Sequence, residues 1–259
     1  MKTRNFNYLA TVTTLLSLSL AGEAFAESAT PTNRFGLGLS LHASGAEYQD
    51  NDTGNGALFA IYHGDRIRVD DGELSFNFLP GRNIKLEALF ERQHFGYESD
   101  DAEVFSGMED RHPVWGVGAR FTASTDIGRL RTSVFHNPID DKDVKDADSG
   151  SSADLEYGYP LKVGSYQVTP IIGMRWMSEE VTDFLYGVSA TETTLTRTQY
   201  QGEDATVGYA GIEAEGMMSQ NIRLSGGLRL ESLPREIEDS PLVSEDTATR
   251  AYIGIAWLF

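Results

Sequence analysis

The sequence contains no cysteine, so no disulfide framework can support the fold. Beyond the first 26 residues it has no long apolar run, which excludes a helical membrane protein. Basic residues are scarce: 21 Lys and Arg stand against 39 Asp and Glu, a formal net charge of −18. A phosphate-binding surface needs clustered Lys and Arg, so this balance argues against nucleic acid as a partner. It argues equally against simple electrostatic attachment to an anionic membrane surface. There is no Gly-x-Ser-x-Gly elbow, no His-Glu-x-x-His and no phosphate-binding loop.

What is present starts with a targeting segment. Lys2 and Arg4 form a short basic region, an apolar and hydroxyl-rich run extends from Tyr8 to about Ala21, and Ala24-Phe25-Ala26 offers small residues at the positions a signal peptidase reads. Residues 1–26 are therefore expected to be a cleaved secretory signal, leaving residues 27–259 as one domain that begins at Glu27. The sequence as a whole is rich in Gly (26), Phe (13) and Tyr (11), almost all of them beyond the signal.

The stretch Thr249–Phe259 has the length of a strand that crosses a bilayer, about 9–11 residues. Ala251, Ile253, Ile255, Trp257 and Phe259 share one face; Tyr252, Gly254, Ala256 and Leu258 share the other. Gly254 followed by hydrophobics at Trp257 and Phe259 resembles the signal read by barrel-assembly machinery, although Tyr252 stands where a more polar residue is usual. The alternative is a buried strand of a soluble sandwich.

The same alternation recurs along the chain. Phe35, Leu37, Leu39 and Leu41 oppose Gly36, Gly38, Ser40 and His42. Ile84, Leu86, Ala88 and Phe90 oppose Lys85, Glu87, Leu89 and Glu91, while Leu130, Thr132 and Val134 oppose Arg129, Arg131, Ser133 and Phe135. This is the lipid-out, lumen-in pattern of a transmembrane strand. Short turns at 80–83, 126–128, 162–164 and 219–221 interleave with long loops at 49–56, 98–113, 140–152, 178–198 and 234–246. Outer-membrane barrels show that asymmetry, with short turns in the periplasm and long loops outside. The expected fold is all-β, a transmembrane antiparallel barrel. Ten strands, the favoured count, follow if 58–79 is one long strand; twelve follow if it breaks at Gly64-Asp65 and Asp70-Asp71-Gly72, but each piece would then be short for a span. Lys85, Glu87, Arg129, Arg131, Arg223, Arg229 and Glu231 would then line the lumen. Tyr62, Tyr97, Trp115, Tyr157, Tyr159, Trp176, Tyr186, Tyr209, Tyr252 and Trp257 would be available for interfacial girdles.

Several segments together resemble the MipA/OmpV family of outer-membrane proteins. They are Asp65-Arg66-Ile67-Arg68-Val69-Asp70-Asp71-Gly72, Tyr157–Leu161, Thr169–Ser178, Tyr186–Ser189 and Ser240-Pro241-Leu242-Val243. The resemblance implies an outer-membrane barrel surrounded by lipid and lipopolysaccharide. For the MipA branch it also implies a scaffold between an MltA-type lytic transglycosylase and a murein synthase. Other members are linked to solute passage, osmotic response or host contact. It brings no catalytic residues, no cofactor and no metal ligands.

The residues themselves offer little chemistry. His42, His63, His94, His112 and His136 show no metal-ligand spacing. His94 with Glu98 and Asp100 is the one cluster that a rim-located hydrolase could use. Asp100, Asp101, Glu103, Glu109 and Asp110 form one acidic loop; Asp140, Asp141, Asp143, Asp146 and Asp148 form another. Either could bind a divalent cation, or bridge through one to lipopolysaccharide phosphates. The simpler expectation is that both are solvated. A scaffold barrel, a small pore and an outer-membrane hydrolase thus stand as readings in that order, with a non-enzyme favoured.

Overall fold

The computed structural model describes residues 34–49, 51–79, 83–92, 96–113, 115–137 and 149–259. The expected signal segment, with Ala24 and Ala26, lies outside the described residues, as do His94 and the acidic cluster 140–148. No helix among the described residues is long and apolar enough to cross a membrane.

The strands are β1 (Arg34–Tyr48), β2 (Asn51–His63), β3 (Ile67–Asp70), β4 (Glu73–Asn77), β5 (Ile84–Arg92), β6 (Trp115–Thr125), β7 (Gly128–Asn137), β8 (Gly150–Gly158), β9 (Leu161–Val163), β10 (Tyr166–Met177), β11 (Ala205–Met217), β12 (Ile222–Ser232) and β13 (Thr247–Leu258). Sequence neighbours other than β8 and β9 pair antiparallel, β13 pairs with β1, and β10 pairs with β11, so the sheet closes on itself. Upper β10 pairs with β8 and lower β10 with β9. β8 and β9 are one wall position interrupted at Tyr159-Pro160, where proline cannot donate to the ladder. The barrel therefore has twelve wall positions.

Twelve is the count that requires 58–79 to break, and the favoured count of ten gives way to it. The break occurs where Gly64 and Asp71-Gly72 interrupt the pattern. Asp71 (φ 42°) and Gly72 (φ 82°) both take positive φ, as a two-residue hairpin with an Asp-Gly turn requires. The resulting β3–β4 hairpin is short, and its tip is held from the interior. Asp70 accepts two hydrogen bonds from Arg223 of β12, at 2.8 and 2.7 Å, across three intervening strands. Ser40 Oγ donates to Asp71 at 3.2 Å. The expected loop at 49–56 is also largely strand, because β2 begins at Asn51 directly after the turn.

Side-chain parity follows the sequence pattern. Leu37, Leu39 and Leu41 on β1, and Ile253, Ile255 and Trp257 on β13, point outward and are exposed. Gly36, Gly38 and Ser40 point inward and are buried. A continuous apolar band on the outside of a closed sheet is a surface for lipid.

The inward glycines of β1 are there for space. Gly38 faces Phe59 of β2, and a Cβ on Gly38 would sit 2.3 Å from the Phe59 ring. Phe59, Ile61, Ala256 and Leu258 form an apolar cluster at the short-turn end, with Met217 packed against it. Gly38→Val is expected to overpack this cluster and destabilise the barrel by about 1–3 kcal/mol. A lower urea midpoint for loss of the heat-modifiable folded band on a gel would register it; an unchanged midpoint would refute the packing assignment.

Candidate functional site

At the long-loop end the chain builds a second, larger apolar core. The loop 96–113 carries a 3-10 turn, Glu103–Phe105; the loop after β10 starts with helix α1 (Glu179–Tyr186); the loop after β12 holds helix α2 (Arg235–Glu238). α1 buries Val181, Phe184, Leu185 and Tyr186, and its first turn is acidic at Glu179 and Glu180, which suits a helix N-terminus. Phe105, Ile237 and Leu242 are completely buried. They pack with Tyr48, Met177, Val207, Leu233 and Ala248 from the strand ends. Phe105 lies flat on Tyr97, centroids 3.9 Å apart, and meets Tyr48 edge-on at 5.2 Å. The solvation expected of the acidic loop fits its exposed Asp100, Asp101, Glu103 and Glu109 but not its buried Tyr97, Phe105 and Met108. Most charges of the three segments face outward, Arg111, Glu192 and Arg197 being buried, while their apolar residues close a lid.

Polar contacts staple the lid to itself and to the wall. Arg197 donates to the backbone oxygens of Glu192, Ser106 and Val104. Arg111 pairs with Glu192 at 3.2 Å, both side chains being nearly fully buried. Tyr186 donates to Glu47 at 2.9 Å, and Ser240 donates to the Tyr186 carbonyl at 2.7 Å. Burial pushes the Tyr97 phenol up to about 12, and burial with the nearby Glu47 carboxylate pushes Tyr186 well above its ordinary value. Both therefore remain neutral hydrogen-bond donors at physiological pH.

Between the lid and the lower apolar cluster the lumen is filled by paired charges. Arg120 bridges to Glu73 at 2.7 Å and Glu91 at 3.7 Å. Arg129, Arg131 and Arg229 converge on the buried Glu156 at 3.2, 3.4 and 3.5 Å. Arg250 joins Glu47 at 2.8 Å and Glu231 at 3.1 Å. The lumen-facing parity expected for Arg129, Arg131, Arg223, Arg229 and Glu231 thus holds. The partner lattice itself was not foreseen, because each bridge joins residues far apart in the chain.

The other expected sites fare differently. Gly254 faces the lumen and is buried, while Trp257 and Phe259 lie exposed on the outer face. Trp115, Tyr157, Tyr159, Trp176 and Trp257 are exposed, as girdle residues must be. Tyr97 and Tyr186 are instead in the lid core, and Tyr209 and Tyr252 point into the lumen, where Tyr209 donates to Asp154 at 2.9 Å. Glu98, Asp100 and Asp101 do gather, their oxygens within 4.8 Å of one another, and all three are exposed.

A closed, lipid-faced barrel with a charged interior, short turns at one end and long loops at the other is an outer-membrane β-barrel. Residues 35–259 match the family described as MltA-interacting protein MipA, and the chain belongs to that family. It is 27% identical to the putative outer membrane protein YiaT of Escherichia coli K12, over 91% of this chain and 94% of that one. It is 25% identical to the MltA-interacting protein of the same organism, over 95% and 96%. It is 24% identical to the outer membrane protein OmpV of Vibrio cholerae serotype O1, over 80% and 78%. The protein resides in the outer membrane.

Proposed function

We propose that the barrel is a non-enzymatic structural scaffold whose short-turn end receives murein-remodelling enzymes from the periplasm. The observation that carries this reading is the lumen, filled with paired charges and covered at both ends by apolar clusters. Such an interior does not favour a free pore. A relative over nearly the whole chain bears the name MltA-interacting protein, which supports a lytic transglycosylase as partner. The murein synthase is carried over from the family resemblance alone. Ile127 and Met218 stand exposed in two of the short turns and offer apolar anchors there.

On this reading, immobilised folded barrel retains a purified lytic transglycosylase of the MltA type. Ile127→Asp with Met218→Asp weakens that retention about tenfold or more, the loss expected when an interface hot spot is removed. Retention equal to that on empty resin would end the scaffold proposal. Two further assignments belong here. Residues 1–26 act as the cleaved signal, with Ala24 and Ala26 at the cleavage site, and N-terminal sequencing of the membrane form should begin at Glu27. Gly254, Trp257 and Phe259 act as the assembly signal, and Phe259→Ala should lower the folded fraction in the outer membrane.

A further inference from the structure

Beneath the lid, beside the paired-charge lattice, lies a cavity of about 260 Å³. Its wall includes His42 and Glu47 of β1, Glu213 of β11, Arg229 of β12, and Arg250 and Tyr252 of β13. Its volume lies just under the range of about 300–1,000 Å³ typical of small-molecule pockets, so it suits a ligand of single-ring size. Two features of this wall restrict the chemistry of that ligand.

The first is charge. The wall carries two carboxylates and two guanidiniums, and each already faces an opposite charge. Arg229 sits 3.5 Å from Glu156 with its guanidinium 4.0 Å from the centre of the Tyr209 ring. Arg250 is held by Glu47 and Glu231. Glu213 lies 3.4 Å from Arg129. An ionic ligand would have to displace one of these partners and leave a buried charge uncompensated. A neutral ligand need not. Each carboxylate retains lone pairs and each guanidinium retains N–H groups beyond its bridge, so the wall can both donate and accept. Ser44 and Asn55, which also line the cavity, add a hydroxyl and an amide.

The second feature is an aromatic shelf. Tyr252 lies against Gly227, where a Cβ would come within 2.5 Å of its ring. His42 stacks beside it, centroids 6.0 Å apart and planes 21° apart. Flat rings next to dense, neutral-balanced donors and acceptors suit a molecule with an apolar ring face and many hydroxyls. We infer that the cavity is a binding site for a small neutral saccharide, held against the Tyr252–His42 shelf by the hydrogen-bonding edges of Glu213, Arg229 and Arg250. The inference is independent of the scaffold proposal, since it concerns the lumen and not the short turns.

The lid would impede entry, so radiolabelled D-glucose, D-galactose or N-acetyl-D-glucosamine is added before the full chain is refolded into detergent. Equilibrium dialysis then measures retention, with acetate and methylammonium as charged controls. The expected result is saturable retention of at least one sugar, approaching one per barrel, with weaker retention of both ions. Tyr252→Ala should reduce that retention at least tenfold, while Tyr252→Phe should keep most of it. Gly227→Ala, which pushes the Tyr252 ring from its seat, provides a second variant if Tyr252→Ala yields no heat-modifiable folded band. Retention of none of the three sugars, tighter retention of either ion, or sugar retention unchanged in the folded variants would overturn the assignment.

Discussion

In a planar bilayer the refolded protein leaves the membrane electrically silent, and it stays silent when the lid alone is opened. Phe105 is the place to open the outer end. It is fully buried between Tyr97 and Tyr48, and the lid it anchors is made of loops rather than of ladder-paired strands. Removing a buried Phe side chain costs about 3–5 kcal/mol. The strand ladders lie below the lid and do not contain Phe105, so most of that cost falls on lid closure. Each 1.4 kcal/mol is about tenfold in an equilibrium, so the closed-to-open ratio falls by about 10²–10³ or more. Phe105→Ala should therefore expose the segments 103–113 and 179–200 to protease in the folded barrel.

Opening the lid is not enough for conduction. The cluster of Phe59, Ile61, Ala256 and Leu258 occupies the short-turn end, so Phe105→Ala alone should stay silent. Phe105→Ala with Phe59→Ala removes a ring from each end but leaves Arg129, Arg131 and Arg229 converged on Glu156 between them, so this double variant should stay silent as well. Discrete steps from the unmodified protein, with heat-modifiable migration showing a folded barrel, would mean that these clusters do not close the lumen. The pore reading would then lead.

How far the fold could be read beforehand depended on what surrounds each residue. Alternation on β1, β5, β7 and β13 was legible because a lipid-facing position and a lumen-facing position demand different chemistry at every step. The β2–β3–β4 region was harder. Its interruptions at Gly64 and Asp71-Gly72 were visible, but the short hairpin they create depends on Asp70 meeting Arg223, a contact spanning 153 residues. The lid was hidden for another reason. Phe105 and Met108 sit among Asp and Glu, and α1 is only eight residues long, so average polarity read as solvent. The spacing of Val181, Phe184 and Leu185 was the available signal for a buried helical face. Tyr252 shows that parity should outrank residue type. It shares a face with Gly254 and Ala256, opposite Trp257, which already pointed it into the lumen and away from a girdle.

The lid should also fail when its buried ion pair is broken, and acid should do the same work as mutation. Arg111 reaches Glu192 with one nitrogen, at 3.2 and 3.4 Å to its two oxygens, and donates from Nε to the Phe184 carbonyl at 3.2 Å. Glu192 also accepts the backbone N–H groups of Glu109 at 3.0 Å and Ser189 at 2.9 Å. The pair thus joins two lid loops. Arg111→Met leaves a carboxylate buried without its cation, which typically costs about 3–5 kcal/mol. Arg111→Met with Glu192→Met removes both charges and should be less damaging than the two single losses added together, as expected for residues in contact. Acid acts on the same group. Burial alone would raise the Glu192 carboxyl, but the two backbone N–H groups and the Arg111 guanidinium overcome it and hold it below the ordinary carboxylate range. A folded value below the unfolded one stabilises the lid at pH above about 4.3, and that contribution is lost as pH falls through the folded value. The protection of amides in segments 103–113 and 179–200, taken relative to their intrinsic exchange at each pH, should therefore fall below about pH 4. In Glu192→Gln the protection should be lower at neutral pH and change less on acidification. If the two proteins show the same pH profile, another group governs the lid.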